Sequence, residues 1–203
     1  SVRADTAAAL GALAVADQAR GGQWLARMLE LVGAWLGEEI PAHAHCGHGH
    51  GPGPGPGPGH AEEKKAPMNR AMFSCCTPMP TTTEDEAGRE LFKAGPTERV
   101  DGAVLLLSEL VVVDAAKAEA LMPRLVETLH RAERAHAFVV LQTAWSRVRV
   151  MAEGLGKRPF KRYMDEMVPV MVATLRLRDE APLAANEAAL ALSFLRTFVG
   201  EGI

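Results

Sequence analysis

The chain has 203 residues, of which 48% are hydrophobic and 23% charged, and its formal net charge is -3. This length and apolar content are enough for one or two packed cores, and the slight acidic excess argues against nucleic acid as a partner. Because the sequence has no run of about eighteen apolar residues and no basic segment followed by a leader cleavage site, we expect neither a membrane span nor a secretory signal.

Residues 1–40 are predicted to form an antiparallel pair of helices, broken by Gly21-Gly22 and ending near Ile40-Pro41. In the first helix, five side chains fall near one face, namely Val2, Thr6, Ala9, Leu10 and Leu13. In the second helix the apolar stripe is wider and contains Trp24, Leu25, Met28, Leu29, Val32, Trp35 and Leu36. Since the sequence starts without methionine and inside a helical pattern, we interpret it as a fragment of a longer chain.

Residues 41–82 differ abruptly in composition from the sequence before them. Histidine, glycine and proline alternate in "HAHCGHGHGPGPGPGPGH", and little apolar periodicity follows. Such a stretch buries too little apolar surface to offset the entropy of ordering it, so we predict a disordered, low-complexity insert. All three cysteines (Cys46, Cys75 and Cys76) lie here, and their odd number argues against a secreted disulfide framework. We therefore expect reduced thiols in an intracellular protein.

The histidine tract is also a candidate metal-binding segment, because imidazole nitrogens and a cysteine sulfur at this spacing are ligands for zinc or copper. The candidates are His43, His45, Cys46, His48 and His50. A structural zinc site needs four ligands held in place by surrounding partners, and repeated Gly-Pro gives no such frame. We therefore predict no functional metal and no cofactor, and we keep a metal-binding module as an alternative function.

Residues 83–203 are predicted to be helical again, as a short helix at 83–94, two helix pairs and a final helix over 182–199. Local signals set the limits of these helices: Thr97 and Asp114 as N-caps, Gly154 and Gly156 as a stop, and Pro159 as a start. The predicted organisation is thus a helix pair at 1–40, an insert at 41–82 and helical repeats at 83–203.

One phrase recurs in the second half of the chain. "MPRLVETL" at 122–129 returns as "VPVMVATL" at 168–175, which brings Pro123 and Pro169 into register at a spacing of 46 residues. Recurrence at a period of roughly forty-odd residues is typical of stacked helix pairs, each of which buries its apolar faces against its neighbours. We also expect each proline to kink its helix, so that the bends add up to curvature.

These units resemble HEAT repeats. The resemblance rests on Val2-Arg3 opening a helix of small residues, on the second helix "YMDEMVPVMVATL", and on the repeat length. Within HEAT proteins, the segments at 2–40 and at 143–180 are similar in pattern to repeats of the importin-beta (karyopherin) superfamily, nearest to the importin subunit beta-3 type. The implied fold is an all-α superhelix of antiparallel helix pairs.

The resemblance implies a binding protein and not an enzyme. An importin-like array would carry cargo protein, respond to the Ran GTPase and contact FG nucleoporins, in the cytoplasm and the nucleus. Other HEAT scaffolds, such as a translation or kinase regulator, a phosphatase subunit or a ciliary assembly factor, are the alternative. The second helices offer seven charged side chains as protein-binding candidates, for which a solvated polar face is the simpler explanation: Arg124, Glu127, Arg131, Asp165, Glu166, Arg176 and Arg178.

Overall fold

The computed structural model describes residues 2–18, 22–42, 81–84 and 90–200. Helices dominate this part of the chain, which confirms the predicted all-α class. The helices are α1 (Val2–Gln18), α2 (Gln23–Leu36), α3 (Pro96–Val113), α4 (Ala115–Glu119), α5 (Met122–Arg134), α6 (Phe138–Leu155), α7 (Lys157–Arg176) and α8 (Pro182–Val199). Within the described residues, none of them has the length and apolarity that crossing a bilayer requires.

Two short strands, β1 (Thr81–Glu84) and β2 (Glu90–Lys93), pair antiparallel where the sequence predicts a helix. The register places Thr81 opposite Lys93 and Glu84 opposite Glu90. The prediction of a helix at 83–94 is therefore wrong. Three successive threonines begin this stretch, and β-branched side chains favour extended backbone. This preference outweighs the helix signal from the acidic residues, on which the prediction rested.

Most helix boundaries follow local sequence signals. Asp114 caps α4 as predicted, since its Oδ1 accepts from the backbone N–H of Lys117 at 3.1 Å, and this bond lowers the pKa of the Asp114 carboxyl. Gly156 ends α6 as predicted, with a φ of 85° that suits glycine. The predicted cap at Thr97 is wrong, because α3 already begins at Pro96, where a missing N–H costs nothing.

The helix predicted to follow Asp114 is interrupted. α4 ends at Glu119 and α5 begins at Met122, so Pro123 lies in the first turn of α5 and not in the interior of a helix. The kink predicted at Pro123 is wrong, because a proline in the first turn removes no intrahelical hydrogen bond. Pro169 does lie inside α7. The two prolines therefore occupy different places in their helices, although the phrases around them match.

The helices pack in two rows. The A row consists of α1, α3, α6 and α8, each of which packs against the next, and the B row consists of α2, α5 and α7, which pack in the same way. The rows also contact each other, for example through α2 with α3 and α7 with α8. Buried side chains from both rows form one continuous core, which extends from Ala14 in α1 to Leu195 in α8.

The buried face of α1 matches the predicted one only in part, since Leu10 alone of the described predicted side chains packs against the core. Ala7, Gly11 and Ala14 face the core, whereas Leu13 of the predicted face is 60% exposed. Gly11 allows α1 to approach α3 closely, because a Cβ at this position would lie only 3.0 Å from the Cβ of Glu109. The prediction failed because α1 is apolar on more than one side, so that periodicity alone does not select the face that packs.

Candidate protein-binding surface

The candidate binding residues lie along two neighbouring helices of the B row. Three are on α5, three are on α7 and one is in the turn that follows α7: Arg124, Glu127 and Arg131, then Asp165, Glu166 and Arg176, then Arg178. Because α5 packs against α7, the fold brings the first two groups onto adjacent helices.

Two of the candidates are engaged with the carboxyl end of α2. Arg124 Nη1 donates to the carbonyl of Gly33 at 2.9 Å. Arg131 Nη2 donates to the carbonyl of Leu36, and its Nη1 donates to two carbonyls just beyond α2, at 3.2 and 3.1 Å. The last carbonyls of a helix have no partner within it and carry partial negative charge, so a guanidinium group suits them. Both arginines thus have a structural role that the sequence did not indicate.

The remaining carbonyls in the last turn of α2 are also bonded. Those of Ala34 and Trp35 accept from the N–H groups of Gly37 and Glu38, at 3.0 and 3.1 Å. All four carbonyls of the turn therefore have partners. The Glu38 carboxylate is held in turn by Arg99 of α3, whose Nε donates to Oε1 at 2.7 Å.

Thr128 completes the contact between α5 and α2. Its side chain is fully buried, and its Oγ1 lies 2.8 Å from the carbonyl oxygen of Leu36 and accepts from Arg131 Nη2 at 3.1 Å. We refer to Arg124, Thr128 and Arg131 as the α2-end cluster. Arg131 Nε is buried without a hydrogen-bond partner among the described residues. The cluster links α5 to the carboxyl end of α2 through polar contacts within the B row.

The other five candidates remain exposed to solvent. They are Glu127, Asp165, Glu166, Arg176 and Arg178, and within the described residues none of them forms an ion pair. Of the seven predicted side chains, these are the ones whose charged groups are free to meet a partner. Nothing in their geometry separates a binding role from that of a solvated polar face.

A basic cluster lies at the start of α7. Lys157, Arg158 and Lys161 are exposed and form no ion pair with described residues, while Arg162 lies 3.4 Å from the carboxylate of Glu119. Cations at the amino end of a helix face the positive end of its dipole, so these charges do not stabilise α7. A short basic segment is also typical of a nuclear import signal, but the periodic apolar residues that flank it favour a solvated helix start.

Asp101 of α3 is the least solvated carboxylate in the described part of the chain. It is 3% exposed, and its Oδ2 accepts from Arg3 Nη1 of α1 at 2.6 Å. Its Oδ1 is buried and has no hydrogen-bond partner among the described residues. Burial raises the pKa of the Asp101 carboxyl, and the side chains of Thr143 and Arg3 offset only part of that rise.

Replacing Asp101 with asparagine is expected to stabilise the fold at neutral pH. Between the ordinary pKa of aspartate and the raised folded value, the folded state binds more protons than the unfolded chain, so stability falls as pH rises through this window. Asp101→Asn removes the charge and should therefore raise the thermal midpoint at about pH 7 more than at about pH 4.5.

The matched control for this experiment is Asp165→Asn, because Asp165 is exposed and forms no ion pair with the residues that the structure describes. We expect that substitution to change stability by no more than about 0.5 kcal/mol at either pH. A lower midpoint for Asp101→Asn at pH 7, with an unchanged pH profile, would mean that the ion pair with Arg3 outweighs the burial of the charge.

The candidate metal ligands, His43, His45, Cys46, His48 and His50, lie outside the described residues. Among the residues that the structure does describe, no three histidine, cysteine, aspartate or glutamate side chains are grouped closely enough to hold a metal ion. The metal-binding alternative therefore stays a prediction from the sequence.

Sequence reasoning missed the long-range polar contacts, because the two partners of each contact are distant along the chain. Thr128 and Leu36 are 92 residues apart, and Arg3 and Asp101 are 98 apart. Neither pair is marked by a local sequence pattern from which it could be predicted.

Comparison with known proteins identifies no relative of the chain. No protein-family model, curated protein or solved structure matches it.

Proposed function

We propose that this chain is a protein-binding scaffold made of stacked helix pairs of the HEAT type. The observation that supports the proposal is the order of packing, in which α1, α3, α6 and α8 follow one another in the A row, and α2, α5 and α7 follow one another in the B row. Contact of each helix with the next helix of its row supports the proposal, because stacked repeats are stabilised by contacts between neighbouring units, which together bury a continuous core.

Such a scaffold binds through an extended surface and has no need of a reactive pocket. Its exposed B-row side chains would be presented on successive helices, as Glu127 is on α5 and Asp165 and Glu166 are on α7. Recognition by scattered charges of both signs gives specificity and orientation more than raw affinity. The proposal assigns no catalytic step to the chain and no cofactor.

The more specific proposal is a nuclear transport receptor of the importin-beta type. It rests on the resemblance of the segments at 2–40 and 143–180 to repeats of that superfamily. The partners would then be a cargo protein, the Ran GTPase and FG nucleoporins, and the protein would move between cytoplasm and nucleus. A different HEAT scaffold, such as a phosphatase subunit or kinase regulator, is the alternative within the same fold.

A binding assay with purified Ran tests the more specific proposal. We expect the immobilised chain to bind Ran loaded with a GTP analogue at least about tenfold more tightly than Ran loaded with GDP, a difference of about 1.4 kcal/mol. Equal affinity for the two forms, or binding to neither, would reject the transport role and favour another HEAT scaffold.

Charge reversal on α7 locates the binding surface. The double variant Asp165→Arg, Glu166→Arg should change the affinity for Ran or for cargo, because the B row is proposed to face the partner. The matched control is Asp179→Arg, Glu180→Arg, an exposed acidic pair in the turn beyond α7. If the control alters binding and the α7 variant does not, the partner meets a surface other than the B row.

A further inference from the structure

Arg99 of α3 contacts the chain on both sides of the stretch at 39–93, which separates the first helix pair, α1 and α2, from the other helices. Its Nε donates to the two carboxylate oxygens of Glu38 at 2.7 and 2.9 Å, and its Nη2 lies 2.7 Å from Oε2. Its Nη1 donates to the carbonyl of Ala94. Glu38 follows the end of α2 and Ala94 precedes the start of α3, so a single guanidinium group holds both borders of the stretch. We refer to these contacts as the Arg99 bridge.

The geometry of the bridge places the end of α2 beside the start of α3. A guanidinium group is planar and directs its N–H groups in fixed directions, so acceptors that share it lie close together. Glu38 and Ala94 are therefore neighbours in space, as they would be if a short turn joined the two helices. Connections between packed helices are commonly short, about 2–8 residues. The packing of α2 on α3 thus has the form of a direct connection, although residues 39–93 intervene.

Further contacts hold the border that follows α2. Ile40 is 7% exposed and belongs to the continuous core. Arg131 of α5 donates to the carbonyls of Gly37 and Glu38 at 3.2 and 3.1 Å, so Glu38 is held by its backbone from α5 and by its side chain from α3. The side chains of Arg99 and Glu38 are only 29% and 26% exposed, and salt screens a partly buried ion pair less than one on the surface. The border is thus fixed by α3 and α5 together.

The first helix pair also packs on the other helices through apolar side chains. α1 packs on α3, and α2 packs on both α3 and α5. Four side chains of α2 are buried in the continuous core: Leu25, Met28, Val32 and Leu36. A polar contact is added at the start of α1, where Arg3 Nη1 donates to Asp101 Oδ2 at 2.6 Å. None of these contacts uses a residue of the stretch at 39–93.

We propose that the first helix pair is a docked unit, which these contacts and the Arg99 bridge hold in place without an intact chain through 43–80. Cutting the chain in this stretch leaves a two-part molecule with the same helical stack. Arg99 acts as a positioning residue, since it keeps the border of the docked pair against α3. Docking of the pair is independent of the partner that the proposed scaffold binds.

An intact chain and a cut chain should respond differently to loss of the bridge. In the intact chain the covalent connection keeps the pair near its docking surface, at an effective concentration that favours docking even when one contact is missing. After a cut, docking is an association between two separate molecules, and the contacts alone determine its dissociation constant. Removing the Arg99 bridge should therefore change helix content little before the cut and weaken association strongly after it.

The experiment uses the full chain with the recognition sequence of a site-specific protease inserted between Gly59 and His60. Both residues lie outside the described part of the chain, in the insert that the sequence predicts to be disordered. After complete cutting, we expect the two parts to sediment as one particle at about 10 µM, with an unchanged circular dichroism spectrum. In cut Arg99→Ala the dissociation constant of the two parts should rise at least about tenfold, because hydrogen bonds between charged groups are among the strongest polar contacts.

Three further variants show whether this loss comes from the bridge. Glu38→Gln removes the charge that Arg99 binds, so it should weaken association in the same direction. Arg99→Lys keeps the charge but lacks the planar fork that reaches Glu38 and Ala94 together, and we expect an intermediate dissociation constant. The matched control is Arg134→Ala, because Arg134 is exposed on α5 and forms no ion pair with described residues, and this variant should associate like the unmodified cut chain. Before cutting, every variant should keep the circular dichroism spectrum of the unmodified chain.

Two results would overturn the proposal. If the unmodified chain separates into its two parts at about 10 µM after cutting, or loses helix, an intact chain through 43–80 is required. If Arg99→Ala and Glu38→Gln leave the dissociation constant of the cut chain unchanged, the bridge does not hold the pair. Binding of Ran is measured on the uncut chain, so neither result affects the test of the proposed function.

Discussion

Replacing Trp145 with alanine is expected to lower the free energy of unfolding by about 3–5 kcal/mol. Trp145 lies in α6, is 2% exposed and belongs to the continuous core. The cost has two sources, since the substitution removes a large apolar side chain and leaves a cavity that the surrounding helices fill only in part. Because α6 packs against α3, α7 and α8, few neighbours are free to move into the space.

The indole also makes a buried hydrogen bond. Trp145 Nε1 donates to Thr174 Oγ1 at 3.2 Å, and the same hydroxyl donates to the carbonyl of Val170 at 2.8 Å, so α6 and α7 are joined by a short polar chain within the core. Trp145→Phe keeps an aromatic ring but removes the donor, for which we expect a smaller loss of about 1–3 kcal/mol.

Chemical denaturation followed by circular dichroism measures these effects. Trp24→Ala is the matched control, because Trp24 is 62% exposed in α2, and a surface substitution of this kind should change stability by no more than about 0.5 kcal/mol in a monomeric sample. If Trp145→Ala costs less than about 1 kcal/mol, the packing of α6 against its neighbours is looser than the structure describes.

The helices could be predicted from the sequence wherever one signal prevailed. Pro182 at the start of α8 and Gly156 at the end of α6 are strong local signals, and the structure agrees with both. The break before Pro123 was missed because the apolar spacing continues across it. The helix predicted at 83–94 is replaced by strands because acidic residues in a first turn are a weaker signal than three successive β-branched threonines.

Which side of a helix packs is harder to predict than the presence of the helix. In α1, apolar side chains occur on more than one side, so the pattern gave a face that the structure leaves largely exposed, while Gly11 marks the side that packs. The selection depends on how closely a neighbouring helix can approach, which is a property of the pair and not of α1 alone.

The candidate site could be predicted only in part. Charge and helical spacing identified exposed side chains such as Glu127 and Asp165 correctly as solvent-facing. They did not reveal that Arg124 and Arg131 have intramolecular acceptors, because those carbonyls belong to the end of α2, 91 and 95 residues earlier in the chain. The sequence pattern shows which side chains are charged, whereas packing between distant segments decides which groups those side chains contact.

Replacing Arg131 with alanine is expected to lower the free energy of unfolding by about 2–4 kcal/mol, because hydrogen bonds from a charged donor contribute about 1.5–3 kcal/mol each and do not add fully. We expect the first helix pair to be loosened more than the rest of the chain. The guanidinium group donates to Leu36 and to the two carbonyls that follow it, so its loss exposes the carboxyl end of α2 and leaves Thr128 with one acceptor lone pair unused. Arg131→Lys keeps the charge but lacks the planar fork, and we expect an intermediate loss.

Hydrogen exchange separates a local effect from a global one. In an array whose units contact only their neighbours, the amides of α2 should exchange faster in Arg131→Ala while those of α8, at the far end, keep their protection. Arg134→Ala is the control, since Arg134 lies on the same helix, is exposed and makes no ion pair with described residues. An equal increase of the amide exchange rates in α2 and α8 would mean that the chain unfolds as one cooperative unit. That result would contradict the proposed stack of helix pairs, in which each unit is stabilised by its neighbours alone.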